Sequence, residues 1–153
     1  MIEIIQYNDK YKESTKEFIL KILIGEFGLG NIERPDLDNI SNIYQKDKSN
    51  FWIAVDNYQV IGSIAVKNYG NNRAYLKRMY VDGKHRATGL AKKLLDTALA
   101  YAKEAGFREI FLGTVEDMVA ANKFYSKSGF KKINKLPDDL PDFGDTIFYK
   151  LTL

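Results

Sequence analysis

Residues 86–91 have the types and the spacing of a phosphate-binding turn. The segment reads Arg86, Ala87, Thr88, Gly89, Leu90, Ala91. Its small residues allow the backbone to approach a ligand closely. It lies ahead of a run with helical periodicity, and the first N–H groups of a helix lack intrahelical partners and carry partial positive charge. Lys84, His85 and Arg86 add positive charge at the same point. These residues therefore predict a site for a phosphate or pyrophosphate group.

The spacing of the glycine excludes two common nucleotide-binding motifs. The chain contains neither the G-x-x-x-x-G-K-[ST] run of a Walker A loop nor the G-x-G-x-x-G turn of dinucleotide-binding proteins. It contains R-x-x-G-x-A instead. Six residues of this kind also fit an ordinary strand-to-helix turn with a flexible glycine, so the loop alone leaves both interpretations open.

The elements that position this loop follow from the hydrophobic pattern. Residues 73–81 predict a strand that leads into the loop, and apolar residues at helical spacing predict a helix from Thr88 or Gly89 to Gly106. Residues 109–115 predict the next strand. Because a helix connects the two strands, we expect them to run parallel, with the loop at their carboxyl ends. Ligands bind at that end of such strands.

The remaining pattern predicts five more strands and three more helices. They are a strand over 1–6, a helix capped by Asn8 or Asp9 that runs to about Ile24, a short helix opened by Pro35, strands over 51–56 and 59–69, a helix capped by Asp117 that runs to about Ser128, and strands over 130–133 and 145–153. The order β-α-α-β-β-β-α-β-α-β-β predicts an α/β (α+β) fold with a mixed, mostly antiparallel sheet flanked by helices. We expect one domain over residues 1–153.

Composition excludes several classes of function. The chain has no cysteine and one histidine, which excludes disulfides, thiolate metal sites, cysteine nucleophiles and multi-histidine metal sites, so we expect no metal. A net charge of +3 is too small to indicate nucleic-acid binding, and no aromatic residues are interleaved with the basic loop for base stacking. No apolar run is long enough to span a bilayer. We therefore expect a cytoplasmic protein with no nucleic-acid or membrane partner.

A second motif indicates which family the chain resembles. Residues 121–130 match A-x-x-F/L-Y-x-x-x-G-F through Ala121, Phe124, Tyr125, Gly129 and Phe130. Residues 86–91 match Q/R-x-x-G-x-G/A, and residues 76–81 are similar to the strand pattern L-x-x-L-Y-V. Together with the order of elements, these motifs resemble the GNAT superfamily of N-acetyltransferases over the whole chain. The resemblance implies the GNAT fold and the transfer of an acetyl group from acetyl-CoA to a primary amine.

The resemblance also implies roles for individual residues. Backbone groups of Met79, Tyr80 and Val81 are expected to pair with the pantetheine arm and polarise the thioester. The main-chain N–H groups of residues 86–91 are expected to hold the pyrophosphate. Tyr125 occupies the family's usual general-acid position. A phenol with a pKa near 10 keeps its proton at neutral pH and can therefore donate it. The alternative role for Tyr125 is packing beside Phe124.

The chain departs from the family pattern at two places. Met118 stands where the family often has an asparagine that contacts the cofactor, and Asn122, one turn later, is either a substitute or a solvent-facing residue. Many members carry a glutamate on the strand equivalent to residues 73–81, and this strand has none. The general base is therefore unidentified: Glu116 is a weak candidate, and a water relay or a neutral amine would need no base. His85 belongs to the basic loop.

Two acidic segments suggest what the acceptor amine is. They flank the expected acceptor site, and their members are Glu26, Glu33, Asp36 and Asp38 in the first and Asp138, Asp139, Asp142 and Asp145 in the second. Negative walls would favour a small cationic amine or a basic peptide N-terminus, with Phe27, Tyr44 and Phe143 as an apolar floor. The alternative is that these acids only cap and solubilise loops. A non-enzymatic acyl-CoA sensor and a homodimer both stay open.

Overall fold

A seven-stranded mixed sheet forms the centre of the protein. The computed structural model describes residues 1–30 and 33–153. The strands are β1 (Ile2–Gln6), β2 (Asn50–Asp56), β3 (Gln59–Asn68), β4 (Arg73–Val81), β5 (Glu109–Thr114), β6 (Lys131–Ile133) and β7 (Ile147–Thr152). They lie in the order β1-β2-β3-β4-β5-β7-β6, with β4 and β5 parallel and the other neighbours antiparallel. The predicted fold class and parallel pair are confirmed.

Helices cover both faces of this sheet. They are α1 (Lys12–Leu20), α2 (Pro35–Asp38), α3 (Ile40–Tyr44), α4 (Leu90–Glu104) and α5 (Val119–Lys127). Leu94 and Leu95 of α4 are fully buried on one face, and Ile19 of α1 and Leu37 of α2 are fully buried on the other. Within residues 1–30 and 33–153, no helix combines the length and the apolar character needed to cross a bilayer.

Two helix predictions needed correction. The first helix was predicted to run to about Ile24 as one α-helix. It consists of three segments: a 3-10 turn (Asp9–Tyr11) capped by Asn8, then α1, then a π-helix (Lys21–Glu26). The wider winding ends with a hydrogen bond from the Phe27 N–H to the Ile22 carbonyl, 3.1 Å long. The predicted Asp117 cap is wrong, because α5 begins one residue later, with Met118 at its N-cap position and no side-chain cap.

Candidate active site

Strands β4 and β5 part at the end of the sheet where a ligand is expected. They pair only over residues 73–75 and 109–111. Beyond this point β4 stays with β3 as far as the Val81–Gly62 pair, and β5 stays with β7 as far as the Thr114–Ile147 pair. The edge of β4 beyond Tyr75 therefore faces an opening rather than a neighbouring strand, so its backbone groups are available to a ligand.

A bulge in β4 turns the strand at this opening. Ser63 lies opposite Tyr80 and Ala65 opposite Lys77, so two residues of β4 face one of β3. Arg78 has a φ of +52°, which is unusual for a residue with a side chain. The Ser63 hydroxyl donates to the Arg78 carbonyl at 2.7 Å and holds the bulge in place. A bulge of this kind redirects side chains, and here it sends Arg78 toward α2.

Two cavities meet at the opening. The β4–β5 cavity, of about 930 Å³, lies between the parted strands, the segment after α1 and the loop before β7. The α4–α5 cavity, of about 370 Å³, lies between the N-terminus of α4 and helix α5. Met79, Tyr80, Ala121 and Tyr125 line both of them. The two cavities therefore share a wall made of these four residues.

The basic loop forms one end of the α4–α5 cavity. Ala87 and Gly89 have φ values of +60° and +87°, and α4 begins directly afterwards at Leu90. A Cβ at Gly89 would have no heavy atom within 4 Å, so the space over this backbone is open. Arg86 is fixed by its Nε, which donates to the Val81 carbonyl at 3.1 Å, and by an ion pair with Glu26 at 2.6 Å.

Most residues predicted to bind the cofactor lie together around the α4–α5 cavity. Its lining includes Met79, Tyr80, Val81, Arg86, Ala87, Gly89 and Ala91. Thr88 and Leu90 differ, because the Thr88 hydroxyl donates to the His85 carbonyl and the Leu90 side chain is buried in the core. Their expected role uses main-chain N–H groups at a helix start, which this arrangement leaves without intrahelical partners. The binding roles of these residues stay predictions.

Tyr125 lies where the two cavities join. Its hydroxyl donates to the Met79 sulfur at 3.6 Å. Its ring packs against Phe124, Phe130 and Tyr149, with centroid distances of 5.6, 5.8 and 6.1 Å. Burial, and secondarily the nearby Tyr80 and Asp145, raise the pKa of this phenol well above 10. Tyr125 therefore keeps its proton at neutral pH and can donate it to an anion that forms at this junction.

The side chain of Asn122 makes its hydrogen bonds outside the two cavities. Its amide group donates to the carbonyls of Val115 and Met118 at 3.1 and 2.8 Å, and its oxygen accepts a 2.8 Å hydrogen bond from the Tyr149 hydroxyl. It lines neither cavity. The structure therefore does not bring Asn122 together with the other predicted cofactor residues, because its position in α5 directs its side chain to the end of β5.

Arg78 forms a cluster that the sequence did not reveal. Its guanidinium group donates to both carboxylate oxygens of Asp36, at 2.8 and 2.9 Å, and the Tyr44 hydroxyl donates to the same carboxylate at 2.7 Å. Burial raises the pKa of Asp36, but the hydrogen bonds and charge of Arg78 outweigh it and lower the pKa overall. The cluster ties α2 and α3 to the bulge of β4 and so fixes one wall of the β4–β5 cavity.

Replacing Asp36 by asparagine should lower the free energy of unfolding by about 3 kcal/mol, because Arg78 is left with an unpaired, largely buried charge. Since the folded state lowers the Asp36 pKa, this stabilisation is present above the ordinary aspartate pKa and is lost as the pH falls through the lowered value. Urea unfolding of both proteins as a function of pH measures the effect. The matched control is Asp38→Asn, whose pair with Lys16 is exposed; an equal loss in both variants would contradict this role.

Most of the acidic residues expected to line the acceptor site are paired elsewhere. Asp38 pairs with Lys16, Asp138 with Lys135 and Asp139 with Arg73, and Asp142 accepts from the Gly144 N–H. Of the eight, Glu26 and Asp145 line the β4–β5 cavity. Phe27 and Phe143 line it as expected, but Tyr44 is fully buried in the core and gives no floor to the site. Glu116 is exposed and lines neither cavity.

Lys77 and Asp145 also lie in the β4–β5 cavity, and both are half-buried there. The sequence predicted no role for Lys77 and marked Asp145 only as one of eight acidic residues. The Lys77 ammonium lies 3.8 Å from the centroid of the Phe143 ring, and burial together with the neighbouring Arg78 lowers its pKa. The alternation along β4 was the available signal, because Lys77 lies two residues after the buried Tyr75 on the same face of the strand.

Comparison with known proteins identifies the family to which this fold belongs. The model of the acetyltransferase (GNAT) family matches residues 16–130. Since this is more than half of the chain, the protein belongs to the GNAT acetyltransferase family. The resemblance inferred from the motifs is confirmed.

Solved structures resemble the whole chain. A GNAT-family acetyltransferase from Staphylococcus aureus Mu50 has a TM-score of 0.93 at 39% identity, covering 99% of both chains. An acetyltransferase from Streptococcus agalactiae has a TM-score of 0.89 at 30% identity, covering 99% of this chain and 98% of the other. N-acetylaspartate synthetase of Xenopus tropicalis is 36% identical over 65% of this chain. The chain spans 38% of that relative's length.

Proposed function

We propose that this protein transfers an acetyl group from acetyl-CoA to the nitrogen of a primary amine. The observation that carries the proposal is the junction of two cavities at Met79, Tyr80 and Tyr125. The α4–α5 cavity ends in a basic loop and a helix N-terminus, which suits a ligand with phosphate groups. The β4–β5 cavity carries charges of both signs, which suits a polar acceptor. A proton donor, Tyr125, lies between them.

The residues of the α4–α5 cavity fit acetyl-CoA. The open space over Gly89 and the helix start at Leu90 would accept the pyrophosphate, with Arg86 and Lys92 close by. The free edge of β4 would pair with the amide groups of the pantetheine arm, as an added strand does. When bound, acetyl-CoA supplies the activated acetyl thioester.

Each remaining group of the junction has a task in the transfer. The backbone N–H groups at the β4 bulge would donate to the acetyl carbonyl oxygen, where negative charge develops. Tyr125 would give its proton to the departing sulfur, and its raised pKa keeps that proton available. Met79 would hold the Tyr125 hydroxyl in place through its sulfur.

The finer part of the proposal concerns the acceptor, which we propose to be a small cationic amine. Glu26, Asp117 and Asp145 lie along the β4–β5 cavity and would attract it. A second candidate is an amine that also carries a carboxylate. It is favoured by Lys77, which offers a partly buried ammonium group, and by the name of the N-acetylaspartate synthetase relative.

The test is steady-state release of CoA with three acceptors of equal length: a diamine, a neutral monoamine and an amino acid. A cationic preference should raise kcat/KM for the diamine, and the preference should shrink at high salt because surface charges are screened. Equal rates for the diamine and the monoamine at low salt would contradict the cationic preference. Binding of acetyl-CoA without release of CoA for any amine would instead indicate a non-enzymatic sensor.

A further inference from the structure

Asp145 is an acid of the β4–β5 cavity whose carboxylate has no partner. Within residues 1–30 and 33–153, no backbone N–H or side chain donates a hydrogen bond to it, and no cation lies within ion-pair distance. Three nearby acids differ in this respect. Glu26 pairs with Arg86, Asp36 pairs with Arg78, and Asp142 accepts from a backbone N–H. An unpaired carboxylate that lines a cavity beside a proposed proton donor is a candidate for a catalytic role.

The carboxylate is held over β5 at the point where the strands part. A Cβ added at Gly113 would lie 2.4 Å from Oδ2 of Asp145 and 2.8 Å from its Cγ, so this side chain fills the space that the glycine leaves. The Thr146 N–H donates to the Thr114 carbonyl at 3.0 Å, and β7 pairs with β5 from the next residue. Asp145 therefore lies at the end of its loop, next to the hydrogen bond that joins the loop to β5.

We propose that Asp145 is the general base of this enzyme, taking a proton from the acceptor's ammonium group. The assignment rests on the proposed acetyl transfer. It supplies the carboxylate that β4 lacks, because Asp145 reaches the opening from the loop before β7, over Gly113 of β5. Tyr75 also lines this cavity, and its buried hydroxyl has no hydrogen-bond partner among the described residues.

Four titratable groups face Asp145. Burial raises its pKa, Lys77 on β4 opposes that shift, and Asp142 in the same loop adds to it, with the net result that the pKa is raised. In return, the Asp145 charge raises the pKa of Tyr75 and of Tyr125. The charge of Asp145 therefore acts on the proposed general acid across the cavity. A raised pKa brings the carboxylate closer in basicity to the amine, as a general base requires.

The proton balance of the transfer closes with these two residues. Asp145 takes one proton from R–NH3⁺ and later releases it to solvent. The neutral amine forms the new C–N bond to the acetyl carbon, and the C–S bond breaks with its electron pair on sulfur. Tyr125 gives its own proton to the sulfur. The second proton leaves the nitrogen as the amide forms and, passed through solvent, restores the Tyr125 phenol. The products are the N-acetyl amine, the CoA thiol and one proton.

Asp145→Asn should lower kcat/KM about a hundredfold or more, because the base is lost while the shape of the side chain is kept. It should also remove the acidic limb of the pH profile. In the wild type kcat/KM falls as the pH falls through the Asp145 pKa, and that limb should lie above the ordinary aspartate pKa of about 4. The matched control is Asp138→Asn, which removes an exposed acid of the same loop that lines neither cavity and should keep both the rate and the limb.

A second variant tests position rather than charge. Gly113→Ala should displace the Asp145 carboxylate and lower kcat/KM, because the new Cβ would occupy its position. CoA affinity measured by calorimetry should stay unchanged in Gly113→Ala and in Asp145→Asn, because neither residue lines the α4–α5 cavity. Asp145→Asn and Gly113→Ala proteins that keep wild-type rates and an intact acidic limb would overturn the assignment and leave the transferase proposal standing. A wild type that binds acetyl-CoA but acetylates no amine would overturn both.

Discussion

Tyr125→Phe should lower kcat about a hundredfold and leave the Kd for acetyl-CoA nearly unchanged, because only the hydroxyl that protonates the leaving sulfur is removed. The ring remains, and with it the packing against Phe124, Phe130 and Tyr149. The raised phenol pKa adds a second expectation. The proton-donating form should persist to a pH above 10, so the wild-type rate should not fall at moderately alkaline pH through loss of this proton.

The matched control is Tyr149→Phe. Tyr149 also packs on the Tyr125 ring and also has a hydrogen-bonded hydroxyl, but it donates to Asn122 and lines neither cavity. Loss of that hydroxyl should reduce stability by about 1 kcal/mol and leave kcat close to wild type. Steady-state kinetics of both variants decide the matter. If kcat of the Tyr125→Phe enzyme stays within about twofold of the wild-type value, Tyr125 serves in packing rather than in proton transfer.

Gly89→Val should weaken acetyl-CoA binding about tenfold or more, which corresponds to about 1.4 kcal/mol or more. The backbone at Gly89 has a φ of +87°, and a β-branched residue adopts this region only under strain. The new side chain would also stand in the open space over the backbone where the pyrophosphate is expected. Isothermal titration calorimetry with acetyl-CoA measures both the affinity and the heat of binding.

Gly70→Val is the control for strain alone. Gly70 has a φ of +85° and equally open surroundings, but it lies in the turn between β3 and β4 and lines neither cavity. It should lose comparable stability and keep its affinity for acetyl-CoA. If both variants bind as well as the wild type, the basic loop is an ordinary strand-to-helix turn.

Local features of this protein were predictable from its sequence because their signals are local. The loop over residues 86–91 and the start of α4 depend on neighbouring residues, and the parallel pairing of β4 with β5 follows from the helix that connects them. The helix after β1 was less predictable. Its last turn widens at Lys21–Glu26, a change that apolar periodicity alone does not signal.

The long-range parts of the site could not be predicted. Asp36 was grouped with the walls of the acceptor site, but it pairs with Arg78, which lies 42 residues further along the chain. The bulge that brings them together depends on Ser63 and on the register of β3 with β4. The role proposed for Asp145 likewise depends on its contact with Gly113 of β5, and neither residue belongs to a recognised motif.

The most direct test of the central claim is to follow an isotopically labelled acetyl group by mass spectrometry. The protein is incubated with labelled acetyl-CoA and an amine, and the amine and CoA products are quantified together. The structure predicts that each CoA thiol released is matched by one labelled acetyl group on the amine nitrogen. Bound acetyl-CoA that is never consumed, or a label that appears only as free acetate, would contradict acetyl transfer as the function of the joined cavities.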